Sequence, residues 1–400
     1  MFARLGPEFL ANPYPFYDML RAQGPAVWMP ELIGLGGFLV TGHAACSSVL
    51  RNKQFGVEPD AVVPADKLAL LPTSSVDVTE RRRANMLFRD PPDHTRLRGL
   101  VSQAFTPRTV ERLRPRIAEV AERLIDAMEE AGRADLIKDF AFPLPIIVIA
   151  ELLGVPPEDR DQFKAWSTVL TRGISPDVTR EEITQVGRAL DAIDAYMTGV
   201  AEDRRRAPRA DLMSDLVRAQ DAGDRLTLPE VLATARLILT AGHETTVNLI
   251  GNGMLALLRH PGERAALADE ALLPGAVEEL LRYDSPVQMT MRFALDTVPL
   301  GDRTVKRGDM VLAVLGGANR DPAQFEDPNR LDVRRANAGS HISFGSGVHY
   351  CLGAPLARLE GEIALGALLR RLPRMALAGG ALAWRTHPVL RGLTALPVTF

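Results

Sequence analysis

Four hundred residues with 47 basic and 50 acidic side chains give a formal charge of −3, and 46% of the chain is hydrophobic. That near balance gives no reason to expect nucleic acid or an anionic membrane as partner, while the apolar content suffices for a substantial core. Two cysteines, Cys46 and Cys351, form at most one bridge, which excludes a disulfide-stapled scaffold and fits a reducing cytoplasm.

Met1 to Leu20 carries Arg4, Glu8, Pro13, Pro15 and Asp18 and reads as neither signal peptide nor anchor. Residues 26–28 and 37–40 read as short strands. In Pro91-Pro92-Asp93-His94-Thr95-Arg96-Leu97-Arg98, His94 and Arg98 stand four apart on a predicted helix and so share a face. Helical periodicity then fills 107–131, 142–153, 157–171, 180–206 and 210–219. The longest apolar run, around 143–150, is far short of the roughly 20 residues a membrane span needs. A soluble, cytoplasmic chain is expected. No repeat, low-complexity tract or long linker divides it, and evenly spread glycine and proline argue for one continuous domain over 1–400.

Thr227-Leu228-Pro229-Glu230 is a capping box with proline in the first turn, a strong helix start. The pattern runs on to His260, where Pro261-Gly262 stops it. From Val231 to Ala241 it is apolar on nearly every side, so the helix should be buried. In its middle stands Ala241-Gly242-His243-Glu244-Thr245-Thr246. Leu237, Ala241 and Thr245 fall on one stripe with Gly242 beside it, a small smooth face carrying one hydroxyl. Such a face suits a flat object lying against the helix. The alternative is a tight helix crossing at Gly242, with Thr245 bonded back to the Ala241 carbonyl. A zinc protease helix would need histidine where Val247 stands, so zinc hydrolysis is excluded.

Glu279 and Arg282 come together by helical spacing before Pro286 closes their helix. Strand-like pieces return at 287–293, 297–300 and 310–315, and again at the C-terminus. The balance is mainly α, with a smaller β region. Near the end comes Phe344-Gly345-Ser346-Gly347-Val348-His349-Tyr350-Cys351-Leu352-Gly353. Glycines on both sides of one cysteine permit tight turns and close approach to a large planar ligand. Turn amides, and a helix starting near Ala354, can stabilise a thiolate.

Phe344, Gly345, Gly347, His349, Cys351 and Gly353 at these spacings resemble the haem-binding signature of the cytochrome P450 family, and the resemblance covers essentially the whole chain. It implies the P450 fold, with haem b between the long central helix and the cysteine loop, and Cys351 as iron ligand. It further implies Ala241 and Gly242 beside the iron, Thr245 and Glu244 as the proton-delivering pair, and propionate contacts from His94, Arg98, Arg292 and His349. Glu279-Leu280-Leu281-Arg282 resembles the family's Glu-x-x-Arg element, with Arg330 of Pro328-Asn329-Arg330 as the second arginine of a structural triad. Met86, Leu87, Phe88, Leu237, Met289, Thr290 and Leu393 are the implied substrate pocket, nearly all apolar.

The implied reaction is insertion of one oxygen atom from O2 into an apolar small molecule by hydroxylation or epoxidation. No FMN-, FAD- or NAD-binding region is visible, so electrons would come from a ferredoxin and its reductase, docking near Arg358. The chain is expected to be a monomer. A haem-thiolate peroxygenase or isomerase would share Cys351 but need no proton relay. A haem gas sensor would bind without consuming electrons, and a thiol hydrolase would need an acid–base partner beyond His349.

Overall fold

The computed structural model describes residues 6–32, 35–68, 83–173, 178–221 and 226–400. The strands are β1 (Val27–Met29), β2 (Gly37–Val40), β3 (Phe55–Gly56), β4 (Arg133–Asp135), β5 (Thr290–Ala294), β6 (Val298–Leu300), β7 (Arg303–Val305), β8 (Met310–Ala313), β9 (Ala376–Leu377) and β10 (Pro397–Thr399). The larger helices are α1 (Tyr14–Arg21), α2 (Asp93–Val101), α3 (Arg114–Glu129), α4 (Pro143–Leu152), α5 (Arg160–Arg172), α6 (Arg180–Arg206), α7 (Leu212–Asp221), α8 (Leu228–Arg259), α9 (Leu273–Tyr283) and α10 (Ala354–Arg371). The main sheet runs β1-β2-β8-β5-β3, with β2 and β8 parallel and the other pairs antiparallel. Two small sheets, β4-β10-β9 and β6-β7, complete the β region.

The central helix starts where its capping box predicts. Thr227 Oγ1 accepts from the Glu230 amide at 3.4 Å, and Glu230 Oε2 accepts from the Thr227 amide at 2.8 Å. Thirty-two residues at 1.5 Å each make α8 about 48 Å long. It packs on α4, α9 and α10, and small residues let those helices close in. A Cβ on Gly253 would lie 3.2 Å from Leu280, and one on Gly361 would lie 3.0 Å from Leu249.

Some elements differ from their sequence expectation. The 107–131 helix is two, Pro107–Glu111 and α3, because Pro115 suits a first turn and lacks the N–H an interior turn needs. β4 carries no alternation of its own and exists because β10 pairs with it. The expected strand 310–315 ends at Ala313, after which Leu315–Ala318 makes a helical turn. Among the described residues no helix is long and apolar enough to cross a membrane.

Candidate active site

The cysteine loop is shaped by backbone. Gly345 and Gly347 adopt φ of +70° and +72°, where a side chain is strained. At Gly347 a Cβ would also come within 2.3 Å of the Leu50 carbonyl oxygen. The loop closes when the Cys351 amide donates to the Phe344 carbonyl at 2.9 Å. Burial pushes the Cys351 thiol up, while the Gly353 amide, Arg98, Arg358 and the Ala354 amide each pull it back. These same groups favour a thiolate once a metal displaces the proton. The other cysteine, Cys46, is buried, raised to about 12 by that burial, and chemically quiet.

Four donors converge beside the loop. The His94 and His349 rings stand 4.2 Å apart, and His94 Nδ1 and His349 Nε2 are buried without hydrogen-bond partners. Burial, then Arg292, His94 and Arg98, drive His349 down to about 3. Burial also lowers His94 and Arg98, and brings Arg292 to about 10. Arg292 Nη1 donates to the Thr290 hydroxyl at 3.2 Å and the Met291 carbonyl at 2.8 Å. Among the described residues no carboxylate forms an ion pair with Arg98 or Arg292. A mutually repelling, partly desolvated set of donors is suited to a ligand bearing carboxylates. Together with a thiol in a glycine loop, it fits haem b.

On α8, Ala241 is exposed and Leu237, Gly242 and Thr245 are half-buried, whereas Leu239, His243, Glu244 and Thr246 are buried. One stripe of a buried helix is thus left uncovered by protein. Thr245 Oγ1 donates to the Ala241 carbonyl at 2.9 Å. Gly242 serves packing: a Cβ there would meet Ile149 of α4 at 2.2 Å. Both features of the alternative reading are therefore present, and Ala241 and Thr245 are what the uncovered stripe presents. Glu244 points elsewhere, in an ion pair with Arg385 and 3.6 Å from His243 Nε2. Burial lowers His243, which Ser167 contacts at 3.2 Å.

Sequence reasoning missed Arg385 and Glu360. Glu360 of α10 is fully buried and pushed up to about 8 by that burial, with the Thr246 hydroxyl opposing. That contact joins α10 to α8 within two turns of the cysteine loop.

Two expectations need correction. Arg330 is exposed and contributes its backbone carbonyl, which accepts from Arg282 Nη2 and Arg335 Nη2 at 3.1 Å each. The second arginine on Glu279 is Arg335, with Nε at 3.2 Å, because the chain turns back after Asp332. Met289 and Leu393, each 1% exposed, pack into the core. Side chains alternate along β5, so Thr290 and Arg292 share one face while Met289 joins Phe293 on the other. Arg358, expected near the docking surface, is held by Glu278 at 2.6 and 3.0 Å and lies 4.5 Å over the Phe344 ring. The remaining pocket candidates differ in exposure, with Met86 buried, Phe88 half-buried and Leu87 44% exposed.

A helical body, a thiol in a glycine loop at the start of α10, and unpaired donors around it define a haem-thiolate protein. The profile of the family described as Cytochrome P450 matches residues 174–373. Cytochrome P450 monooxygenase PikC of Streptomyces venezuelae is 47% identical over 406 residues, 98% of this chain and 92% of its own. Polyketide biosynthesis cytochrome P450 PksS of Bacillus subtilis is 42% identical over 408 residues, 100% of this chain and 98% of its own. A crystal structure of P450BioI in complex with hexadec-9Z-enoic acid ligated acyl carrier protein superposes with a TM-score of 0.92, at 41% identity, covering 99% of this chain and 100% of that one. The chain belongs to the cytochrome P450 family, the monooxygenases that bind haem b.

Proposed function

We propose that this P450 inserts one atom of O2 into an apolar organic molecule of moderate size, with electrons from an external ferredoxin and reductase. The observation that carries the reading is the pairing of Cys351 with the uncompensated donors His94, Arg98, Arg292 and His349. When bound, haem b supplies an iron centre for dioxygen, and thiolate ligation favours O–O cleavage. Cys351 Sγ gives up its proton and is held by the Gly353 and Ala354 amides. Phe344 and Gly345 form the loop's wall; Arg98 and Arg292 would neutralise two propionates, and the neutral His94 and His349 would donate hydrogen bonds to them. Ala241 keeps the helix stripe small.

Thr245 Oγ1 would turn from the Ala241 carbonyl to donate its proton at the uncovered stripe of α8, and Glu244 would replace that proton after swinging from Arg385. Leu237, Leu87 and Phe88 offer the substrate apolar surface and no fixed charge, with Thr290 as a single hydroxyl. Reduced carbon skeletons suit such walls. Polyketides and fatty acyl chains come first, since relatives carry a polyketide name and a fatty acid on a carrier protein.

The test is the reduced, carbon-monoxide-bound spectrum of protein from haem-replete cells. Wild type should show thiolate ligation and Cys351→Ala should lose it; nitrogen-only ligation in wild type would end the reading. A spectral screen of free and carrier-bound acyl compounds, terpenoids and steroids then finds the substrate, and product formation should depend on added ferredoxin and reductase.

A further inference from the structure

Glu244, Asn248 and Asn252 recur every four residues along α8 and form one polar stripe in a half-helix otherwise built of Val247, Leu249, Ile250, Met254 and Leu255. All three are buried, at no more than 3% exposed. The stripe faces the chain between Trp384 and Leu393, which are bridged antiparallel. Arg385 from that segment pairs with Glu244, Asn252 Nδ2 donates to the Arg391 carbonyl at 3.0 Å, and Gly392 leaves room for Asn248. A Cβ at Gly392 would fall 1.9 Å from Asn248 Oδ1.

Both polar atoms of the Asn248 amide, and Oδ1 of Asn252, lack a partner in the protein. Each such atom left unsatisfied costs roughly 1–3 kcal/mol, so interiors keep them only where water bonds them. Asn252 also lines a cleft of about 420 Å³, bounded by Tyr14, Arg259, Tyr283, Trp384 and Arg391, with Arg259 exposed. Four residues of helix rise about 6 Å, a gap that one water with two hydrogen bonds of about 2.8 Å spans.

We propose that Asn252 and Asn248 are positioning residues for a file of waters that carries protons from this cleft to the Glu244 carboxylate. The role rests on the reading of Glu244 given above. Each proton enters from bulk water at the cleft, passes along the file, and replaces the one Glu244 has given to Thr245. Arg385 closes the inner end.

The experiment uses the haem-loaded protein, with dioxygen as the only oxidant and NADPH, ferredoxin and reductase as the electron source. Peroxide released per dioxygen consumed is measured in H2O and D2O for wild type, Asn248→Leu and Asn248→Ser. A crystal structure of the holoprotein checks for waters on the two amides. Asn248→Leu should still fold, because it is of similar shape and removes an amide that makes no hydrogen bond to the protein. Its peroxide share should rise several-fold with an enlarged solvent isotope effect, while Asn248→Ser, which leaves space for water, stays near wild type. Amides found dry, or Asn248→Leu matching wild type in partition and isotope effect, would overturn the water file alone. If Glu244→Gln also left the partition unchanged, the assignment of Glu244 would fall and take the file's purpose with it.

Discussion

Arg335 Nε lies 3.2 Å from the Glu279 carboxylate that Arg282 holds through two hydrogen bonds of 2.7 and 2.8 Å. Glu279 and Arg282 are completely buried, and Arg282 Nη1 also donates to the carbonyls of Asn319 and Pro328. Glu279 thus joins α9 to the irregular segment that leads into the cysteine loop. Removing one member of a buried pair leaves its partner's charge uncompensated, a loss of about 3–5 kcal/mol. Arg282→Ala should therefore lower the thermal midpoint sharply, and Arg335→Ala somewhat less because Arg282 still holds Glu279. Arg330→Ala, at an exposed side chain, should stay within about 0.5 kcal/mol of wild type. Calorimetry on the three variants ranks them, and an Arg330→Ala loss equal to that of Arg335→Ala would reverse the assignment.

What was legible in the sequence is what local chemistry dictates. The capping box at Thr227 and the stop at Pro261 place α8 to within a residue, and the glycines around Cys351 announce a loop only glycine can make. Arg335 was hidden because its approach to Glu279 depends on a turn of irregular chain, and Pro328-Asn329-Arg330 offered a nearer candidate. Met289 and its neighbour Thr290 cannot both face one pocket, since strand alternation sends adjacent side chains to opposite faces and Met289 joins Phe293. Glu360 left a readable mark: it interrupts the apolar stripe Leu356, Ala364 and Leu368 at helical spacing. Arg385 left none, since its partner is 141 positions away and its own neighbours carry no pattern.

Arg98 makes a prediction with opposite signs in the two forms of the protein. In the apoprotein it is desolvated and unpaired, so Arg98→Leu should leave stability unchanged or raised. In the holoprotein it would lose one charge-assisted hydrogen bond, worth about 1.5–3 kcal/mol. Haem transfer to apomyoglobin should then be faster by roughly tenfold or more. A variant destabilised equally in both forms would show that Arg98 serves packing alone.

Thr245 bonds its own helix at the Ala241 carbonyl, a contact whose loss has little effect on folding. Thr245→Ala should accordingly keep haem content, melting temperature and substrate affinity. What it removes is the hydroxyl that hands on a proton, an effect of about a hundredfold or more for general acid catalysis. Electrons should appear as peroxide instead of product, read as NADPH consumed against product and peroxide formed. Unchanged coupling would remove Thr245 from proton delivery.

Glu360 makes stability depend on pH in a direction opposite to most carboxylates. Burial raises its folded value to about 8, against 4.5 for an ordinary glutamate, so between those values the folded chain holds a proton that the unfolded chain releases. Stability contributed by the neutral carboxyl is complete below about pH 4.5 and declines as pH rises toward 8. Above that the carboxyl ionises in the folded state and the loss levels off, after a fall of a few kcal/mol in all. Glu360→Gln keeps the shape of the side chain but cannot ionise. The variant should therefore match wild type near pH 5 and be the more stable of the two near pH 8.5. Denaturation midpoints measured across that range decide it: parallel curves would mean that Glu360 is ionised in the native protein as in the unfolded one.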